Sequence, residues 1–387
     1  MDGTPAFLKS RFKETFPLSG EPKIFRAPGR VNLIGEHTDY NLGYVLPIAL
    51  DLASYAVAAP NTERKLRIHS DGAGETREWP VSSIIDLEPA HDWSDYVAGV
   101  ARELIMAGFD VHPANLLVHS TVPLGSGLSS SAAFEVSVAL ALLNGRDIPP
   151  LELVHLCQRA ENRFVGMPCG VMDQYASVFG RAGAALQIDC RTRQHQPVPL
   201  PDGVAIIAVN SMVKHELGKT AYRERVDECA AAVQIIQERH PLVKSLRDAT
   251  MRHLETLGPA MPQLVYRRAR HVITENDRVM EFVKACEAAD LECMGRKFRE
   301  SHEGLRDDYE VSCEELDFLV ETALTMPAVF GARMTGGGFG GCTVNLVAPQ
   351  ASAEFKSAIV RKYEERFGIA PAVYDCHPSA GAGEMKF

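Results

Sequence analysis

The residues with the most chemical potential fall in three stretches. In GRVNLIGEHTDYNLGYVLP, residues 29–47, a strand-like tract from Val31 to Ile34 passes through one glycine into Glu36, His37, Thr38, Asp39, Tyr40 and Asn41, and apolar residues then resume. Such a polar wedge between buried segments could be a carboxylate–imidazole metal set, a capped turn or a hydrogen-bonded loop. In STVPLGSGLSSSAAFEVSVALALL, residues 120–143, β-like sequence leads through Gly125, Gly127 and three serines into a helix rich in Ala, Val and Leu. Glycines let a ligand approach the backbone, and the helix start presents unpaired N–H groups, which suits phosphate. A plain glycine turn with serine caps would read the same way.

The third stretch is AENRFVGMPCGVMDQYASVFG, with Glu161 at a predicted helix end and Asp173 after the turn Met167-Pro168-Cys169-Gly170. Asp173 lies among Val171, Met172 and Tyr175, where an unpaired carboxylate is costly, so it needs a partner or serves as a helix N-cap. Arg30 is the candidate partner. Its guanidinium could hold Asp173 ionised and face the charge of a transferring phosphoryl group; an ordinary surface ion pair is the plainer alternative. Glu161 and a loop serine would supply hard oxygen ligands for Mg²⁺.

Two look-alike motifs fail. Gly218-Lys219-Thr220 ends like a Walker loop, but the glycine required five positions earlier is Val213. Gly336, Gly338 and Gly341 have dinucleotide-fingerprint spacing, yet they open onto the strand-like TVNLVAP rather than a helix. That density of glycine implies close backbone packing.

Elements must position these residues. Strands are expected at Lys23–Phe25, Ser54–Ala58, Leu66–His69, Asn115–Ser120 and Val204–Val209, and helices at Asp95–Ala107, Ser130–Leu143 and Glu152–Phe164. From Tyr222 to Thr325 the pattern is helical, interrupted at Pro241, Pro259 and Pro262. A chain of 387 residues exceeds one usual hydrophobic core, and composition shifts near residues 180–200. The expectation is an α+β fold in two lobes. A net charge of −10 disfavours nucleic acid and anionic membranes as partners. No tract reaches the roughly 18 apolar residues of a membrane span. Nine cysteines without a Cys-x-x-Cys pair read as free thiols of a cytoplasmic protein.

Taken together, the stretches resemble the galactokinases of the GHMP kinase superfamily over nearly the whole chain. GRVNLIGEHTDYNLG is similar to the galactokinase signature, PLGSGLSSSAA to the superfamily phosphate loop, MTGGGFGGC to its third motif, and GMPCGVMDQ to a further family segment. The resemblance implies a mixed sheet with helices in an N-terminal lobe (residues 1–180), an antiparallel sheet with helices in a C-terminal lobe (residues 181–387), and an active site between them. It implies transfer of the ATP γ-phosphoryl group to the 1-hydroxyl of α-D-galactose, by a monomer whose partners are the sugar and MgATP. By position, Glu36, His37, Thr38, Asp39, Gly170 and Tyr222 would bind sugar. Gly125, Ser126, Gly127, Leu128, Ser129, Ser130 and Ser131 would wrap the ATP phosphates, with Ser70 at the nucleotide and Ser131 and Glu161 on Mg²⁺. Asp173 would accept the hydroxyl proton and Arg30 would stabilise the transition state. Ser126 stands where Gly or Ala is common, and its hydroxyl is expected on a solvent or phosphate side; Tyr175 replaces a frequent Phe, a minor change. Alternatives within the fold are a kinase for N-acetylgalactosamine or another sugar, or a non-enzymatic galactose sensor. Intact Ser131-Ala132, Asp173 and Arg30 weigh against the sensor.

Overall fold

Strand Pro47–Pro60, PIALDLASYAVAAP, is apolar at most positions because both of its faces are covered. Its two-residue alternation sorts the side chains. Ala53, Tyr55, Val57 and Ala59 cluster with Leu8 and Phe12 of helix Pro5–Thr15. Ala56 and Ala58 cluster with Val97, Val136 and Leu156 of helices Ser94–Met106, Ser130–Leu143 and Pro150–Arg159. The computed structural model describes residues 3–123, 125–214 and 218–386.

Around this strand a six-stranded sheet runs in the order Gly383–Glu384, Lys23–Asn32, Pro47–Pro60, Ala114–Ser120, Lys65–Ser70, Glu75–Pro80. Lys65–Ser70 and Ala114–Ser120 are parallel and the other pairs antiparallel, so the sheet is mixed, as expected. A second sheet, Val329–Thr335, Gly340–Val347, Ala205–Lys214 and Ala372–Asp375, is antiparallel throughout. One of its faces packs Ile207 and Val209 on Leu319 and Ile359. The other joins Ala208, Val344 and Leu346 to Leu33, Ile48, Phe282 and Phe298, so one apolar core links the two sheets. A small third sheet pairs Tyr44–Val45 with Ala184–Asp189 and Gln194–Pro199.

The expected strands form and are longer than their most apolar segments, since pairing extends into polar flanks. One helix departs from expectation. Glu152–Phe164 was to be continuous; α geometry stops at Arg159 and a π-helical stretch, Ala160–Val165, follows. This widening sets the direction of Glu161, and such bulges gather at functional sites. All nine cysteines are free thiols.

Glu275, on helix Gln263–Glu287, fastens the polar wedge of residues 36–41 to the helical half. Its Oε1 accepts from the Gly35 N–H (2.9 Å) and the Ser301 hydroxyl (2.7 Å), and its Oε2 accepts from Arg278 Nε (2.6 Å). Burial alone would raise its pKa, but Arg278, His271 and Arg333 outweigh burial and hold the carboxyl at about 2. A depressed carboxylate stabilises fully above its unfolded value of 4.5 and loses that contribution as pH falls toward 2. Glu275→Gln is expected to lower the unfolding free energy at pH 7 by about 3–5 kcal/mol, the range for breaking a buried pair. It should also flatten the pH dependence of the urea midpoint between pH 4.5 and 2.

Candidate active site

The strand Lys23–Asn32 carries a register shift between Pro28 and Arg30, which turns the Arg30 side chain toward helix Met172–Phe179. There the guanidinium meets Asp173 in a fork: Nε donates to Oδ1 at 2.8 Å and Nη2 to Oδ2 at 2.7 Å. Nη1 donates to the Gly127 carbonyl at 2.6 Å, and the Arg30 N–H donates to the Leu128 carbonyl at 3.0 Å. The pair is not a surface contact, since the side chains are only 7% and 25% exposed. Nor is Asp173 a cap: the N-cap is Val171, and Asp173 lies inside the first turn.

The glycine loop is fastened to this pair. Gly125 and Gly127 have positive φ, and Ser129, the N-cap of helix Ser130–Leu143, gives its hydroxyl to Asp173 Oδ2 at 2.5 Å instead of capping. The first N–H groups of the helix thus receive no side-chain cap, which leaves them open to an anion. Leu128 is buried in the core, so only its backbone belongs to the loop surface. Ser126 corrects the sequence expectation. Its hydroxyl faces neither solvent nor phosphate; it is 1% exposed, donates to the Pro123 carbonyl (2.8 Å) and accepts from the Leu128 N–H (3.3 Å). A hydroxyl is tolerated there because two backbone groups of the tight turn need a partner. The Tyr175 hydroxyl is likewise used, donating to the Arg193 carbonyl at 2.8 Å.

The π stretch brings Glu161 to within hydrogen-bond reach of Ser131. Glu161 Oε2 accepts from Gln174 Nε2 (2.7 Å) and from the Cys169 thiol (3.3 Å). Burial, then the charge of Asp173, raises its pKa, a penalty on the carboxylate that a divalent cation beside it would offset. One carboxylate, one hydroxyl and space for phosphate oxygens and water fit Mg²⁺. Among the described residues no group of three or more His, Cys, Asp or Glu side chains is arranged to hold a metal ion, so Glu36, His37 and Asp39 form no metal set.

A cavity of about 440 Å³ is lined by Arg30, Asp173, Glu161, Glu36, His37, Asp39, Gly170, Tyr222 and the turn Gly336–Phe339. The wedge divides into residues that face it and residues that hold it. His37 has a φ of 63°, and its Nδ1 pairs with the Tyr40 hydroxyl at 3.0 Å. The buried Nε2 has no side-chain partner among the described residues and lies toward the Gly337 backbone. Burial, with His271 nearby, lowers the His37 pKa to about 3, so the ring is neutral. Burial and the neighbouring Asp173 raise the Asp39 pKa to about 6. Gly170 packs on Asp39 so closely that a Cβ would overlap the carboxylate. Glu36 lines the cavity, but Arg333, the Thr335 hydroxyl (3.0 Å) and the Gly336 N–H (3.1 Å) all donate to it. Thr38 is fully buried and does not line the cavity; its hydroxyl lies 2.8 Å from the Gly35 carbonyl and 2.6 Å from that of Tyr44.

Ser70 ends the strand beside Val118, in the parallel pair whose other member leads into the glycine loop. Its hydroxyl accepts from the Ala73 N–H at 3.3 Å. The third motif is the turn between two antiparallel strands, and Cβ atoms placed on Gly336 and Gly341 would stand 3.5 Å from the Gly127 and Ser126 carbonyl oxygens. The two glycine turns therefore lie close together, about one methyl group apart. Sequence reading missed Arg333, Glu275 and Gln174, which hold site residues in place. It also missed Glu135, buried in helix Ser130–Leu143, to which Gln174 Nε2 donates at 3.2 Å. A lone glutamate within an Ala/Val/Leu helix was the available signal. A larger hollow of about 700 Å³, lined by residues such as Leu200, Asp202, Cys286 and Leu291, contains none of the motif residues.

Residues 10–60 match the galactokinase galactose-binding signature, residues 95–181 the N-terminal domain of GHMP kinases and residues 282–365 their C-terminal domain. A galactokinase of Roseiflexus sp. (strain RS-1) is 42% identical over 381 residues, covering 98% of this chain and 96% of that protein. One from Thermotoga maritima is 40% identical over 363 residues, covering 93% and 99%. The crystal structure of Lactococcus lactis galactokinase complexed with galactose matches with a TM-score of 0.93 at 35% identity, covering 98% of this chain and 99% of that one. Mevalonate kinase of Methanococcus jannaschii, 16% identical with a TM-score of 0.67, shares the fold alone. Motifs, architecture and full-length similarity agree: the chain belongs to the galactokinase family of the GHMP kinases.

Proposed function

We propose that this enzyme transfers the γ-phosphoryl group of ATP to the 1-hydroxyl of α-D-galactose, giving galactose 1-phosphate and ADP. The observation that carries this reading is the Arg30–Asp173 pair, which stands in one cavity with His37 and Asp39 and is bonded directly to the glycine loop. A relative with the same fold and 35% identity is described with galactose bound.

Residues 1–180 and 181–387 act as two lobes in this reading. The first supplies the wedge, the glycine loop, Glu161 and Asp173; the second closes the cavity with Tyr222 and the turn at Gly336–Gly338. Asp39 accepts hydrogen bonds from sugar hydroxyls, and neutral His37 donates or accepts through Nε2. Glu36 and Thr38 hold the wedge in shape, and Gly170 and Tyr222 shape the wall. The 1-hydroxyl oxygen attacks the γ-phosphorus, the bond to the ADP oxygen breaks, and the hydroxyl proton passes to Asp173. Arg30 has two N–H groups beyond the three it commits, and these face the charge that develops. Gly125 to Ser131 cradle the phosphates, with Ser70 at the nucleotide. Ser131 and Glu161 would hold Mg²⁺, which would neutralise phosphate charge.

ADP release over a panel of sugars tests the assignment. Galactose is expected to give the highest kcat/KM, and preference for N-acetylgalactosamine would overturn the substrate. Asp173→Asn should reduce kcat by about 10²–10⁴-fold, the usual range for loss of a general base. In Arg30→Ala, kcat should fall by about 10²-fold or more while the KM for galactose changes little, as expected of an interaction strongest in the transition state. The raised pKa of Asp39 gives a pH signature. Below about 6 its carboxyl takes up a proton and loses acceptor capacity, so the KM for galactose should rise as pH falls through that value. Asp39→Asn should remove this dependence.

A further inference from the structure

Ser129 occupies a backbone position that suits glycine. Its φ of 58° and ψ of 49° are left-handed, a region that side chains with a Cβ enter at a cost and glycine enters freely. An N-cap serine normally has an extended backbone and accepts a hydrogen bond from the helix start. Ser129 makes no such bond. It is 7% exposed, and its hydroxyl donates to Asp173 Oδ2 at 2.5 Å.

We propose that Ser129 is a positioning residue for the proton acceptor, and that its hydroxyl serves Asp173 and not the nucleotide. The inference rests on the reading of Asp173 as the acceptor. Each carboxylate oxygen offers two lone pairs. Oδ2 has both engaged, one by Arg30 Nη2 and one by Ser129, whereas among the described residues Oδ1 has a single donor, Arg30 Nε. Ser129 thereby leaves one lone pair of Oδ1 to receive the sugar hydroxyl and fixes the plane in which that lone pair lies. The loop that cradles phosphate and the group that takes the proton are also held in register, because Ser129 is the residue before the helix whose N–H groups are open. Ser130 and Ser131, one and two positions on, remain for the phosphates and cation.

Ser129→Gly separates the hydroxyl from the fold, since glycine relieves the left-handed backbone. This variant should melt at the same temperature as the parent or higher, while kcat falls about 10–100-fold, the penalty for a misplaced reacting group. The KM values for ATP and galactose should change less than about threefold, because ground-state binding is not what is lost. Ser129→Ala retains the strained backbone and should lose kcat equally while melting lower. An unchanged kcat in both variants, or a defect confined to the KM for ATP, would overturn the proposal, the second outcome by placing the hydroxyl on the nucleotide. Asp173→Asn is assayed alongside. If it turns over at the parental rate, the acceptor assignment falls and this inference with it; if it is inactive while Ser129→Gly is fully active, only the inference about Ser129 fails.

Discussion

Taking an arginine and an aspartate out of water costs several kcal/mol per ion, and only a near-ideal geometry with further hydrogen bonds offsets it. Arg30 and Asp173 meet that condition by drawing three distant segments to one point. The strand contributes its register shift, the helix its first turn, and the glycine loop two carbonyls and a hydroxyl. None of these features is satisfied alone. The helix after the loop has no side-chain cap, the strand breaks register between Pro28 and Arg30, and the aspartate would be an uncompensated charge. The pair is thus the condition for the local fold, and it stands on the wall of the cavity.

The wedge at residues 36–41 is organised in a similar way, but its supports come from the other end of the chain. Arg333, Thr335 and Gly336 hold Glu36, and Glu275 holds the backbone at Gly35. His37 and Asp39 are left facing the cavity, ringed by Tyr40, Tyr222 and Tyr309, with the His37 and Tyr309 ring centroids 4.7 Å apart. Polar groups fixed before a ligand arrives need not reorganise on binding, which is how a small site discriminates among polyhydroxylated molecules.

Much of this was legible in the sequence where the information is local. Helical periodicity, glycine spacing and the strand-like tract Ser54–Ala58 each act over a few residues, and the elements they mark are present. The partnership of Arg30 with Asp173 could also be anticipated, because a carboxylate among Val171, Met172 and Tyr175 requires a cation. Glu275 and Arg333 were not visible. They sit in ordinary helical and strand patterns, and their partners lie 240 and 297 positions away. The direction of a single hydroxyl was equally hidden. Ser126 and Ser129 differ by three positions in one loop, yet one ties down backbone and the other reaches Asp173. Only the folded turn decides which. The π widening at Ala160–Val165 has no local signature either, since its residues fit an α-helix equally well.

Gly383 and Glu384 pair with Arg26 and Phe25 at the edge of the large sheet, and Arg26 also donates to the Ala380 carbonyl and Ser379 hydroxyl, both at 3.1 Å. During synthesis the strand Lys23–Asn32 leaves the ribosome more than 350 residues before its edge partner. The first sheet therefore waits with one flank open, and an unpaired edge invites association with other strands. Completion of the sheet is coupled to residues made more than 350 positions after that strand, so a nascent chain stalled before residue 383 would present the sheet with an adhesive border, the form that a chaperone would be called upon to shield.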